Sequence, residues 1–156
     1  SNAAHSLIKK INEKVSRQKQ PSTEVKKILL CTPEGEMHSL GCMVIESVLI
    51  SKGYSVFNIA PSVPSTSVIS FANKIEPDLI IISITLTENL HAANRLINEI
   101  LTTKAEHPPI LLGGAGVSSV KKIQGNKVAG VKFLKDVPLS GILLSIKESI
   151  KGNKVV

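Results

Sequence analysis

Glu36, His38 and Gly41 form the constellation in this chain whose residue types and spacing point to chemistry. A neutral imidazole binds a transition metal through one ring nitrogen, and a carboxylate beside it can hold the other. A glycine three residues on leaves room for a ligand to pass close to the backbone. The pattern lies between an apolar run, Lys27-Ile28-Leu29-Leu30-Cys31, and an amphipathic one from Met43 to Ile50. That order reads as strand, loop, helix, and in open parallel sheets ligands sit at the carboxyl ends of strands. Two further loops follow apolar runs: Ser83-Ile84-Thr85-Leu86-Thr87 after Leu79–Ile82, and Gly113-Gly114 after Ile110–Leu112.

Other chemistries lack their residues. No nucleophile–base set, phosphate loop or Gly-x-Gly-x-x-Gly fingerprint is present. A phosphorylated receiver wants an acid at the end of the third strand, where Ser83 stands. A flavin phosphate would meet Pro33, Glu34 and Glu36 in the first loop, where negative charge opposes it. The expectation is a binding module rather than an enzyme.

Glu36-x-His38-x-x-Gly41 resembles the Asp-x-His-x-x-Gly signature of cobalamin-binding domains. The form Gly35-Glu36-x-His38-x-Leu40-Gly41 looks most like the corrinoid-sensing C-terminal domains of bacterial transcriptional regulators. The Ser83-to-Leu86 and Gly113-Gly114 landmarks agree in position, so the likeness runs from about Lys26 to Gly116.

The resemblance implies cobalamin, in its adenosyl or methyl form, with His38 as the lower axial ligand of cobalt. The corrin brings four equatorial nitrogens, so one protein ligand suffices where a zinc site needs three or four. Glu36 would support the far ring nitrogen, its extra methylene relative to Asp leaving the direct contact open. The same likeness puts Ser39, Leu40 and Gly41 beside the displaced nucleotide tail and Ser83 at its base. Thr85, Leu86 and Thr87 would lie around the ribose or the loop backbone, and Gly113 and Gly114 where the backbone approaches the nucleotide. The implied function is the sensor module of a regulator, with a DNA-binding domain elsewhere in the full-length protein. The alternatives are a corrinoid carrier for methyl transfer, and a degenerate domain that binds no cobalamin or another tetrapyrrole. Homo-oligomer formation is compatible with each.

Alternating strand and helix patterns must position these loops. The expected architecture is α/β: a doubly wound, flavodoxin-like or Rossmann-like sheet of five parallel strands with an extra N-terminal helix. Ser1-Asn2-Ala3 reads as a tag remnant, 4–20 as the helix, with Leu7, Ile8, Ile11 and Val15 on one side to pack on the main domain or as the last piece of a helical cap, 24–151 as the cobalamin-binding domain and 152–156 as a tail. Pro21-Ser22-Thr23 is a break. Strands are expected at Val25–Thr32, Tyr54–Ile59, Leu79–Ser83, Ile110–Leu112 and Gly130–Phe133. The helices are expected to begin near Ser39, at Ser65 or Thr66, after a Thr87 cap, at Val117 and at Leu139. The 156 residues, 42% hydrophobic, suffice for one core. No apolar run reaches membrane-spanning length. Cys31 and Cys42 read as buried small hydrophobes of a cytoplasmic protein. The net charge of +7 is scattered and aromatics are 3%, which argues against a stacking surface for nucleic acid. Glu34, His91 and His107 read as solvated surface or loop residues, and His5 matters only if the N-terminal helix folds over the ligand.

Overall fold

The computed structural model describes residues 2–17, 24–103, 106–118 and 130–152. Five parallel strands, β1 (Lys27–Cys31), β2 (Ser55–Asn58), β3 (Leu79–Ser83), β4 (Ile110–Gly113) and β5 (Val131–Leu134), stand in the order β2-β1-β3-β4-β5. This is the expected doubly wound sheet. Chain direction reverses its walk between β1 and β3, and the ends of those two strands bound the crevice where such folds bind ligands.

The apolar runs build a two-sided core because strand side chains alternate between faces. Leu29, Cys31, Ile80, Ile82, Ile110 and Leu112 point to one face, under α3 (Ser65–Ile75) and α4 (Leu90–Thr103). Ile28, Leu30, Leu79, Ile81 and Leu111 point to the other, under α2 (Leu40–Ser51) and α6 (Leu139–Gly152). A short α5 (Ala115–Ser118) follows β4. Both cysteines are buried and free. No helix among the described residues is long and apolar enough to cross a membrane.

Helix ends show where local rules were read correctly and where they were not. Gly53, expected as a C-cap, adopts φ +96° and ends α2 in a Schellman motif: Tyr54 N–H donates to the Leu49 carbonyl and Gly53 N–H to that of Ile50. Ser65 does not cap α3. It is the first helical residue, and Pro64 precedes it in extended backbone, its carbonyl accepting from Ser67 and Val68. Thr87 does not cap α4 either. It opens a 3₁₀ turn, Thr87–Asn89, closed by Asn89 N–H on the Leu86 carbonyl, and α4 starts at Leu90. The helix expected from Val117 to Ile123 is described only as α5, two residues earlier, and its remainder lies outside the described residues. The same holds for the break at Pro21-Ser22-Thr23, the end of the N-terminal helix and the tail beyond Gly152.

The N-terminal helix α1 (Asn2–Arg17) takes in Asn2 and Ala3 of the stretch read as a tag and packs along α2. Leu7 and Ile11, on the apolar side of the helix, are 60% and 48% exposed, whereas Asn12 is buried with neither atom of its amide hydrogen-bonded. Ile8 is half-buried; the side chain of Val15 lies outside the described residues. Hydrophobic periodicity marks the apolar side of a helix but not the side that meets a given neighbour.

Gly114 is the glycine the fold depends on. Its φ is +109°, and a Cβ there would overlap the Ile84 carbonyl oxygen. Gly114→Ala is expected to lower unfolding stability by about 2 kcal/mol or more. Urea unfolding of the purified variant checks this; a midpoint equal to that of the parent protein would contradict the assigned backbone geometry.

Candidate functional site

The loop after β1 is built before any ligand is considered. Thr32 Oγ1 donates to the Glu36 carbonyl at 3.0 Å and accepts from Ser62 N–H at 2.7 Å. Gly35, at φ +91°, turns the chain so that Glu36 N–H reaches the Pro33 carbonyl. Gly35 N–H also donates to Ser62 Oγ. The loops after β1 and β2 are thereby tied together, and the Glu36 side chain is directed inward.

Glu36 is fully buried, and its carboxylate is satisfied entirely by donors. Oε1 accepts from His38 N–H at 2.9 Å and lies 2.7 Å from His38 Nδ1. Oε2 accepts from the backbone N–H groups of Thr85 at 2.9 Å and Leu86 at 3.1 Å, and from Asn89 Nδ2 at 2.8 Å. The longer acid therefore reaches the imidazole directly. Burial alone would raise its pKa, but the His38 N–H, the Asn89 amide and the Leu86 and Thr85 N–H groups outweigh burial and hold it at about 2, against an ordinary 4.5.

This shift predicts an acid-sensitive fold. A carboxyl with a depressed folded pKa contributes its stability fully above the unfolded value and loses it as pH falls toward the folded one. The window runs from about 4.5 down to about 2, and the contribution is on the order of 3 kcal/mol. Urea unfolding at a series of pH values should show this loss, and Glu36→Gln should remove that part of the slope. An unchanged slope in the variant would mean the carboxylate is not held as described.

An ionised carboxylate only accepts hydrogen bonds, so the shared proton belongs to His38 Nδ1. In the neutral ring Nε2 then carries the lone pair. The His38 side chain is 53% exposed, and Nε2 has no hydrogen-bond partner among the described residues. Ser39, next in sequence, places Oγ 3.3 Å from His5 Nε2. The N-terminal helix thus reaches the edge of the site, which the sequence left as a condition on His5. Among the described residues, no three His, Cys, Asp or Glu side chains gather into a metal cage.

Beside this loop lies an apolar slot of about 460 Å³ between α2 and α6. Leu40, Gly41, Ser83, Gly113 and Gly114, all singled out from sequence, line it. A Cβ on Gly41 would sit 3.5 Å from Ser83 Oγ, so the absent side chain keeps the slot open at that point. Burial pushes the neighbouring Cys42 thiol up to about 12, with the Ser83 hydroxyl acting against it.

The remaining residues fall elsewhere. Thr85 and Leu86 support Glu36 through their backbone, and Thr87 is exposed at the start of the 3₁₀ turn; none of the three lines the slot. Sequence reasoning missed Asn89, which carries no periodic signal and lies 53 residues from the carboxylate it meets. It also missed Val44, Ile45, Leu134 and Leu139 as slot walls. Topology held that signal, because α2 and α6 cover the same face of the sheet. Glu34 is exposed, 3.9 Å from Arg95, and His91 is exposed, as expected. His107 is half-buried, with Nδ1 3.0 Å from the Pro108 carbonyl oxygen.

The sequence model of the B12 binding domain family matches residues 26–131. The methionine synthases of Mycobacterium leprae and Mycobacterium tuberculosis are each 29% identical to this chain over 93 residues, 59% of its length. The chain spans 8% of the length of those relatives. Among solved structures, the methanol:cobalamin methyltransferase complex of Methanosarcina barkeri aligns with TM-score 0.71 at 16% identity, over 97% of this chain and 56% of that one. The monomethylamine corrinoid protein of the same organism aligns with TM-score 0.62 at 18% identity, over 97% and 64%. A cobalamin-binding protein of Desulfitobacterium hafniense aligns with TM-score 0.53 at 19% identity, over 72% and 69%. At these identities the structural likeness is one of fold.

Proposed function

Since the chain belongs to the B12 binding domain family, we propose that it binds a corrinoid with His38 Nε2 as the lower axial cobalt ligand and serves as the corrinoid carrier of a methyl-transfer system. The observation that carries the reading is the pairing at His38. A buried, ionised Glu36 holds Nδ1 of the half-exposed His38 side chain, two residues before the slot-lining Leu40.

The residues present fit the group. A corrin supplies its own equatorial nitrogens, so one imidazole meets the requirement without a protein metal cage. A slot of about 460 Å³ walled by Leu40, Val44, Ile45, Leu139 and Ile142 suits a bicyclic aromatic base and its ribose. Gly41 and Ser83 face each other across it. When bound, the cofactor supplies the cobalt–carbon chemistry. The chain contributes a fixed ligand nitrogen, a polar support behind it and an apolar wall that excludes water.

The carrier role is preferred to the regulator's sensor module suggested by the Gly35-to-Gly41 sequence. The named relatives are methionine synthases, and two of the three named structures are a methyltransferase complex and a monomethylamine corrinoid protein. None of those named is a transcriptional regulator, and no feature of the described residues calls for a DNA-binding partner.

The test is to mix the protein with hydroxo-, methyl- and adenosylcobalamin in the dark, remove free ligand and record visible spectra. A retained corrin spectrum with nitrogen from histidine in place of the cofactor's own base is expected. Failure to retain any of the three forms sinks the proposal. A light-driven change in assembly confined to the adenosyl form would overturn the carrier role in favour of a sensor.

A further inference from the structure

On the side of α2 away from the slot, a second cavity of about 650 Å³ lies between α1, α2 and the edge strand β2. The two cavities share no lining residue. Gly41, Cys42, Val44 and Ile45 line the slot, whereas Met43, Glu46 and Ile50 line this one. Residues three and four apart share a side of a helix, and the same spacing on α1 brings His5, Lys9, Asn12 and Glu13 to the cavity wall. Among the described residues, Asn12 alone buries side-chain nitrogen and oxygen atoms without a hydrogen-bond partner, and it is only 6% exposed. An amide left so is costly and rare in a folded chain, and a partner for both its atoms would recover that cost.

The charges beside Asn12 are of both signs. Lys9 and Glu13 are exposed and form no ion pair among the described residues, although their i, i+4 spacing would let them pair with each other. Across the cavity, Asn58 Nδ2 donates to Glu46 Oε2 at 2.9 Å, and Asn58 Oδ1 accepts from Ala60 N–H at 3.2 Å. That wall is satisfied within the protein; the α1 wall is not. Lys9 and Glu13 stand about 6 Å apart along the helix axis, close to the span of about 7 Å between the ends of an extended dipeptide. Asn12 falls between them along the axis, where the peptide group of such a molecule would lie.

We infer that this cavity binds a small zwitterion of dipeptide size. The carboxylate of the ligand meets Lys9 and its ammonium meets Glu13. Its peptide N–H and C=O pair with the Asn12 amide, whose side chain turns toward the cavity to receive them. Its apolar side chain rests on Met43, Ile50 and Val56. A simple anion or cation would use one sign of charge and leave the amide unpaired. The site stands whether or not His38 ligates cobalt.

The test titrates the protein, without corrinoid, with glycyl-L-leucine and follows proton–nitrogen correlation spectra. Saturable shifts are expected at the Asn12 and Asn58 side-chain amides and at the Ser39 and Glu46 backbone N–H groups. Gly113 and Gly114 in the slot should stay in place. N-acetylglycyl-L-leucine, without the ammonium, and glycyl-L-leucinamide, without the carboxylate, should each bind about 3-fold or more weakly. Asn12→Leu keeps the volume and removes the amide. It should bind the dipeptide about 10-fold or more weakly, and without ligand it should unfold at a higher urea concentration than the parent protein. Absence of saturable shifts with glycyl-L-leucine overturns the inference, as does a folded Asn12→Leu variant with the parent's affinity. Equal affinity for L-leucine, which has no peptide group, also overturns it. If Asn12→Leu does not fold, the exposed positions decide: Lys9→Gln and Glu13→Gln should each weaken binding, and unchanged affinity in both overturns the site.

Discussion

His38→Ala is expected to abolish the histidine-ligated corrin spectrum and to weaken hydroxocobalamin binding by about 100-fold or more. Residues that merely support a metal ligand typically cost about 10- to 100-fold when replaced, so loss of the ligand itself should reach at least the upper end. The fold should survive. The His38 side chain is half exposed, and its removal leaves Glu36 Oε1 with the backbone N–H of residue 38. Visible titration measures the affinity, and added imidazole should restore a nitrogen-ligated spectrum by entering the vacated space. A variant with the parent's spectrum and affinity would mean that His38 is not the ligand.

Gly41→Leu should separate the two halves of the site. Gly41 is helical with no positive φ, and a Cβ alone makes an ordinary 3.5 Å contact with Ser83 Oγ. Alanine is therefore tolerated. A leucine extends past that contact into the slot, where overpacking costs about 1–3 kcal/mol, roughly a 5- to 150-fold loss. On the proposed reading, in which the base and ribose of cobalamin occupy the slot, the loss should appear with cobalamin and not with cobinamide, which lacks them. Parallel titrations with the two corrinoids give the ratio. Equal losses for both would place the nucleotide somewhere other than this slot.

Much of the fold was legible because its strands declare themselves. Ile28–Cys31, Leu79–Ile82 and Ile110–Leu112 are short unbroken apolar runs, as strands covered on both faces must be, and each became a central strand with its residues alternating between two cores. The Glu36–His38 pair was legible because its partners are two residues apart. Less legible were contacts decided by distant chain segments. Thr85, Leu86 and Thr87 were expected around the ribose or the loop backbone, and the support that Thr85 and Leu86 give Glu36 comes through backbone N–H groups, which every residue but proline carries. Asn89 was missed for a related reason: nothing in its own neighbourhood states that a carboxylate from another loop will arrive. The docking of α1 was left open for the same reason: Asn12 is buried while Leu7 and Ile11 are exposed, and an apolar stripe says nothing about which neighbour is available to cover it.

The five hydrogen bonds on the Glu36 carboxylate also bear on the rate and entropy of cofactor capture. All are made within the protein, so the side-chain freedom of His38 and Asn89, and the backbone freedom of Thr85 and Leu86, is lost during folding rather than at encounter. Under the proposed function, a ligand arriving at Nε2 would meet a nitrogen already aimed, and the remaining ordering cost would fall on the ligand's own flexible tail. If the proposed mode of binding holds, the slot and the aimed nitrogen would act together, and a slot that fills slowly would limit the rate of capture.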